Sequence, residues 1–66
     1  MEKHMITHND PQAAFQKAID TGRLTRNKDS ALYVGHWMYM GTDERNVDLF
    51  KNIMFRNYLK EESNND

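Results

Sequence analysis

His4 and His8 stand four residues apart, with Asp10 just beyond. On a helix that spacing puts two imidazoles on one face, where they can bind a transition metal. Pro11 argues against such a helix, because the residue before a proline is pushed out of the α region. A loose polar tail accounts for all three residues more simply. Asp43 and Glu44 are neighbouring carboxylates, the side chains general acid–base chemistry uses. In a turn, or in the first turn of a helix, their charge is favourable without any reaction. No nucleophile stands beside a base at a recognisable spacing, and three scattered glycines make no phosphate cradle. Three histidines without a cysteine lack the usual donor set of a structural zinc site. The sequence reads as non-catalytic, with no metal and no small-molecule cofactor.

Two constellations suit binding instead. Tyr33, Trp37 and Tyr39 alternate along the chain with His36, Met38 and Met40. Aromatics at alternate positions of a strand usually belong to a core. Left uncovered, large rigid rings carry interface energy, and methionines supply pliable contact beside them. These six residues are the expected partner-binding set. His36 interrupts an aliphatic run between Val34 and Met38. At the margin of a core its imidazole bonds a backbone or carboxylate group, and if half-buried its charge responds to pH near neutrality. The second constellation is the basic run Arg23, Arg26 and Lys28, close to Tyr33 and Trp37. Cations beside stacking planes are what single-stranded nucleic acid requires. Cations at a helix C-terminus are also favoured by the dipole alone.

These residues need elements to hold them. Ala31–Met40 contains the single tryptophan and two of the three tyrosines, with non-polar side chains on both faces at period two. Gly35 in mid-helix would cost about 1 kcal/mol relative to alanine, so extended backbone is expected. Asp10–Pro11 is a helix start, a capping carboxylate followed by proline at N1. The helix should run Pro11–Thr21 and stop at Gly22. Phe15 and Ile19 would then dock on the Leu32, Val34, Met38 and Met40 side of the strand. A strand needs a backbone partner, which a hairpin with Val47–Asn52 provides. A C-terminal helix near Met54–Glu61 completes the expectation. The fold class is small α+β in a single domain over residues 1–66, with 1–9 and 61–66 as flexible tails. The alternative is a three-helix all-α bundle.

Sixty-six residues give one core of barely sufficient size. A net charge of −1 provides no global attraction to nucleic acid or to an anionic membrane. No apolar run approaches the roughly 20 residues of a membrane span, and no hydrophobic secretion segment is evident near the start, so a cytoplasmic location is expected. The composition points to a small interaction module acting as a regulator, inhibitor or accessory subunit. It would bind a protein partner, or itself as a homodimer, through the aromatic and methionine strand face. Weak nucleic-acid binding through Arg23–Lys28 is the alternative.

Overall fold

Asp10–Pro11 starts a helix as its chemistry requires. In the computed structural model, which describes residues 5–60, the Asp10 carboxylate accepts from the Gln12 N–H at 3.2 Å. Helix α1 then spans Pro11–Asp20. Thr21 is the cap, its hydroxyl donating to the Lys17 carbonyl at 2.9 Å. Gly22 follows at φ +84, a left-handed angle that glycine adopts without a Cβ penalty. The reversal brings the Arg23 and Leu24 N–H groups back to the Ala18 carbonyl, at 2.8 and 3.2 Å. Leu24 is thereby buried beside Ala14 and Ala18.

The expected hairpin forms, giving an α+β domain, but its first strand is shifted. Strand β1 spans Trp37–Thr42 and pairs antiparallel with β2, Asp48–Asn52. Residues 31–36 form no strand. Short polar side chains capture the backbone before a ladder can. Asn27 Oδ1 accepts from the Asp29 N–H at 3.0 Å, and Ser30 Oγ accepts from the Leu32 N–H at 3.0 Å. One bridge then forms between Thr25 and Tyr33, and Val34–His36 winds into a single 3₁₀ turn. The Tyr33 ring folds over Gly35, in space a Cβ would need.

The side of the sheet that meets α1 is also corrected. The core consists of Ala14, Ala18, Leu24, Trp37 and Phe50, with Phe15, Val34, Tyr39 and Leu59 packed around it. Val34 takes part, but Leu32 and Met38 are exposed, so the helix does not dock on a Leu32/Val34/Met38/Met40 face. The reason lies in size and in polar tips. Trp37 and Tyr39 remove more apolar area from water than methionines do, and each polar end finds a partner. Trp37 Nε1 donates to the Ala31 carbonyl at 3.2 Å, and the Tyr39 hydroxyl accepts from the Asn9 N–H at 2.9 Å.

A bulge between Tyr39 and Gly41 adds one residue to β1. It transfers Thr42 to the buried side, where its hydroxyl donates to the Asp48 carboxylate at 2.7 Å and lies 2.6 Å from the Tyr39 hydroxyl. Period-two counting cannot foresee that shift. Thr7, placed by the sequence in a flexible tail, pairs with Thr42 through two backbone bonds of 2.8 and 2.7 Å. In the loop after β1 the Asp43 carboxyl is held below its ordinary pKa. The main cause is the donated Val47 N–H at 3.0 Å, and Arg45 adds to it.

No C-terminal helix forms over the described part of Met54–Glu61; Glu61 lies outside the described residues. Residues 53–55 turn, and the chain returns along β2 through a Lys51–Tyr58 bridge and a Leu59 N–H to Phe50 carbonyl bond of 2.8 Å. The three-helix alternative is likewise absent, since α1 is the single α-helix among the described residues. None of their helices is long and apolar enough to cross a membrane.

Gly22 and Gly41 both have positive φ, but only at Gly41 would a Cβ collide with a neighbour, the Ile6 side chain, while sitting 3.4 Å from the Thr7 carbonyl oxygen. Gly41→Ala should therefore cost about 1–3 kcal/mol and more than Gly22→Ala, measured by urea unfolding followed through Trp37 emission. Equal losses would show that residues 6–7 do not pack on the bulge.

Candidate functional site

The expected binding residues do not share one surface. Trp37 is 7% exposed and forms part of the core. Tyr39 is half-buried, with its hydroxyl engaged by Asn9 and Thr42. Tyr33 is half-buried and lies edge-on to His36, ring centroids 5.2 Å apart. Met38 is exposed and Met40 half-buried; Met38 alternates with the core-facing Trp37 and Tyr39, and Met40 is the extra residue at the bulge. The strand thus spends its rings on the core and leaves one exposed methionine.

The basic run is also divided. The Arg23 guanidinium lies 5.5 Å from the centroid of the Phe50 ring and donates to the carbonyls of Asp48 and Lys60, at 2.9 and 3.1 Å. It serves as a clamp between α1's exit, β2 and the C-terminal return. Arg26 donates to Gln16 Oε1 at 3.1 Å. Lys28 alone of the three lines a cavity with Trp37.

That cavity is a cleft of about 610 Å³ between residues 28–31 and 35–37 on one wall and residues 52–55 and 57 on the other. Trp37 is among the residues that line it. The walls are tied together where the Ile53 N–H donates to the His36 carbonyl at 2.9 Å. The second wall is a short loop carrying three successive large apolar residues. Ile53 is 52% exposed, Met54 77% and Phe55 76%.

Burial cannot be what fixes side chains this exposed; the backbone beneath them does it. Asn52 ends β2 with its side chain buried, and its Oδ1 accepts from the Met54 and Phe55 N–H groups, at 2.9 and 2.8 Å. The Asn52 carbonyl accepts from the Arg56 N–H at 3.0 Å, and the Asn52 N–H donates to the Asn57 carbonyl at 2.7 Å. Arg56 takes φ +67 to close the turn. One asparagine thus organises four of the loop's hydrogen bonds. The two Oδ1 bonds are those of a helix N-cap, and the Arg56 N–H to Asn52 carbonyl bond is a single α-turn; the left-handed angle at Arg56 stops the winding there.

The arrangement can hold an apolar side chain against Trp37 while Ile53, Met54 and Phe55 close over it. It offers no reacting pair. Ser30, the hydroxyl on the opposite wall, accepts from the Leu32 N–H. No cluster of three potential metal ligands occurs among the described residues; His4, of the histidine pair considered above, lies outside them.

The sequence reading puts Asn52 at a strand end and Met54 and Phe55 in a helix, with Ile53 between the two. A signal was present. Three consecutive bulky apolar residues fit neither a helical stripe nor strand alternation, and Asn52 and Asn57 bracket them with the residue type that bonds its own turn. No family model matches the chain, and comparison with curated proteins and with solved structures gives no match.

Asn52→Ala removes the acceptor of two loop amides and should cost about 1–3 kcal/mol, with large chemical-shift changes at Met54 and Phe55. Asn52→Asp keeps the acceptor and should preserve those shifts. Unchanged shifts in the alanine variant would show that something else fixes the loop.

Proposed function

We propose that this chain is a small non-catalytic protein-interaction module, a regulator, inhibitor or accessory subunit, which docks a protein partner on the Ile53–Phe55 loop and the adjoining Trp37 cleft. The function is the one expected from composition; the working surface moves from the strand face to the loop beyond it. The observation that supports this reading is the exposure of three large apolar side chains on a backbone held by a buried asparagine.

Exposing such residues works against a domain of this size. Each would contribute about 1.5–3 kcal/mol if fully buried, a useful amount where a single core is marginal. A surface loop without a role at its tip is normally polar. The loop is also ordered before any partner arrives, so binding does not spend free energy on arranging it. Aromatic and methionine anchors next to a concavity are the composition of an interface centre. Nucleic acid gains no comparable support, since Arg23 and Arg26 are engaged within the fold.

The test is selection from a displayed random-peptide library on the whole chain. Trp37, the single tryptophan, reports occupation of the cleft. Selected peptides should shift its emission, and Phe55→Ala and Met54→Ala should each weaken them about tenfold or more, the cost of removing an anchor. These side chains are exposed, so both variants should unfold at the wild-type urea midpoint. Peptides that bind both variants as well as the wild type would place the docking surface elsewhere and overturn the reading.

A further inference from the structure

The charges around the cleft narrow the class of partner. Lys28 lines it directly, and Arg56 stands on the loop between Phe55 and Asn57. Lys51 precedes Asn52 on β2, its ammonium 5.7 Å from the centroid of the Tyr58 ring. None of these three cations is in an ion pair with a carboxylate among the described residues. Asp29 is the single carboxylate lining the cleft. Four of the six acidic side chains among the described residues lie toward the opposite end of the hairpin. There Asp43 and Glu44 occupy the β1–β2 loop, and Asp10 and Asp48 line one shallow depression beside α1. Among the described residues, the end of the molecule that holds the cleft is thus cationic and apolar.

Resting on the docking surface just described, we infer that the segment it takes is an acidic peptide with a bulky apolar anchor, the anchor seated against Trp37 and the flanking carboxylates facing Lys28 and Arg56. Concavity favours a peptide over a bilayer, because a flat membrane surface cannot fill a cleft behind the loop. The cations disfavour a second copy of this chain, since two such ends would meet with like charges opposed. A peptide with carboxylates on either side of one large apolar residue satisfies both features together. Opposite charge speeds its approach and makes the affinity dependent on salt.

The whole chain is titrated, with Trp37 emission as readout, using a short peptide in which a Leu-Phe pair is set among glutamates. Two companions carry glutamine or lysine in place of glutamate, and mixed phosphatidylserine–phosphatidylcholine vesicles form a further arm. The glutamate peptide should shift the emission and bind on the order of tenfold more tightly than the glutamine one, with the advantage fading as salt is raised. Removing both cations, Lys28→Glu with Arg56→Asn, should abolish that preference; asparagine suits the left-handed angle at position 56. Equal binding of all three peptides, still weakened by Phe55→Ala, overturns the acidic class and leaves the docking surface standing. Response to vesicles but to no peptide, or a doubling of mass in solution that Phe55→Ala reverses, assigns the surface to a membrane or to a second copy and overturns the inference. Failure of every peptide, with no vesicle binding and no doubling, overturns the docking surface as well.

Discussion

Phe50 is the residue on which the rest of the molecule leans. It is 0% exposed, and four separate parts of the chain meet it. Phe15 brings α1 to within 5.1 Å between ring centroids, and Tyr39 brings β1 to 6.0 Å. Arg23 lays its guanidinium over the ring from the loop after the helix. The C-terminal return donates the Leu59 N–H to the Phe50 carbonyl. A two-stranded hairpin is marginal alone in water, and so is a ten-residue helix. Each becomes stable here by packing on the other, and Phe50 is where they share contact.

That arrangement sets what is left for the surface. With Phe50 facing α1, alternation along β2 turns Asp48 and Asn52 to the same buried side. Asp48 accepts from Thr42, and Asn52 turns its amide to the loop that follows. The buried register of β2 therefore determines that an asparagine, not an apolar residue, sits inward at the strand's end. Its oxygen caps the next amides as at a helix start, and Arg56 at φ +67 ends the winding after one turn. Ile53, Met54 and Phe55 then stand outward because the turn leaves them no core to enter. The apolar tip follows from the same packing that stabilises the domain.

Much of this was legible in the sequence, and the failures have physical causes. The helix was readable because its signals are local: Asp10, Pro11 and Gly22 act within a turn of where they stand. The hairpin was readable from backbone accounting, since one isolated strand would have left polar groups unpaired. The inward face of β1 was not readable. Alternation at Leu32–Met40 is apolar on both sides, and the choice between them depends on which side α1 covers. The bulge before Gly41 and the pairing of Thr7 with Thr42 are long-range events without a local mark. Asn52 closes β2 as expected, but the helix expected after it stops after one turn because Arg56 takes a left-handed angle, which an arginine does not announce in sequence. The binding set suffered accordingly: Trp37 and Tyr39 went to the core, and the exposed anchors appeared in the turn that follows β2.

The central claim is that Ile53, Met54 and Phe55 are held outward on a backbone as ordered as the strand beside them. Backbone ¹⁵N relaxation on the isolated chain measures this directly. The account predicts order parameters at Met54 and Phe55 near those of β2, about 0.85. Values below about 0.6 at these amides, with β2 remaining rigid, would mean that Asn52 does not fix the loop, and the preformed surface would not exist.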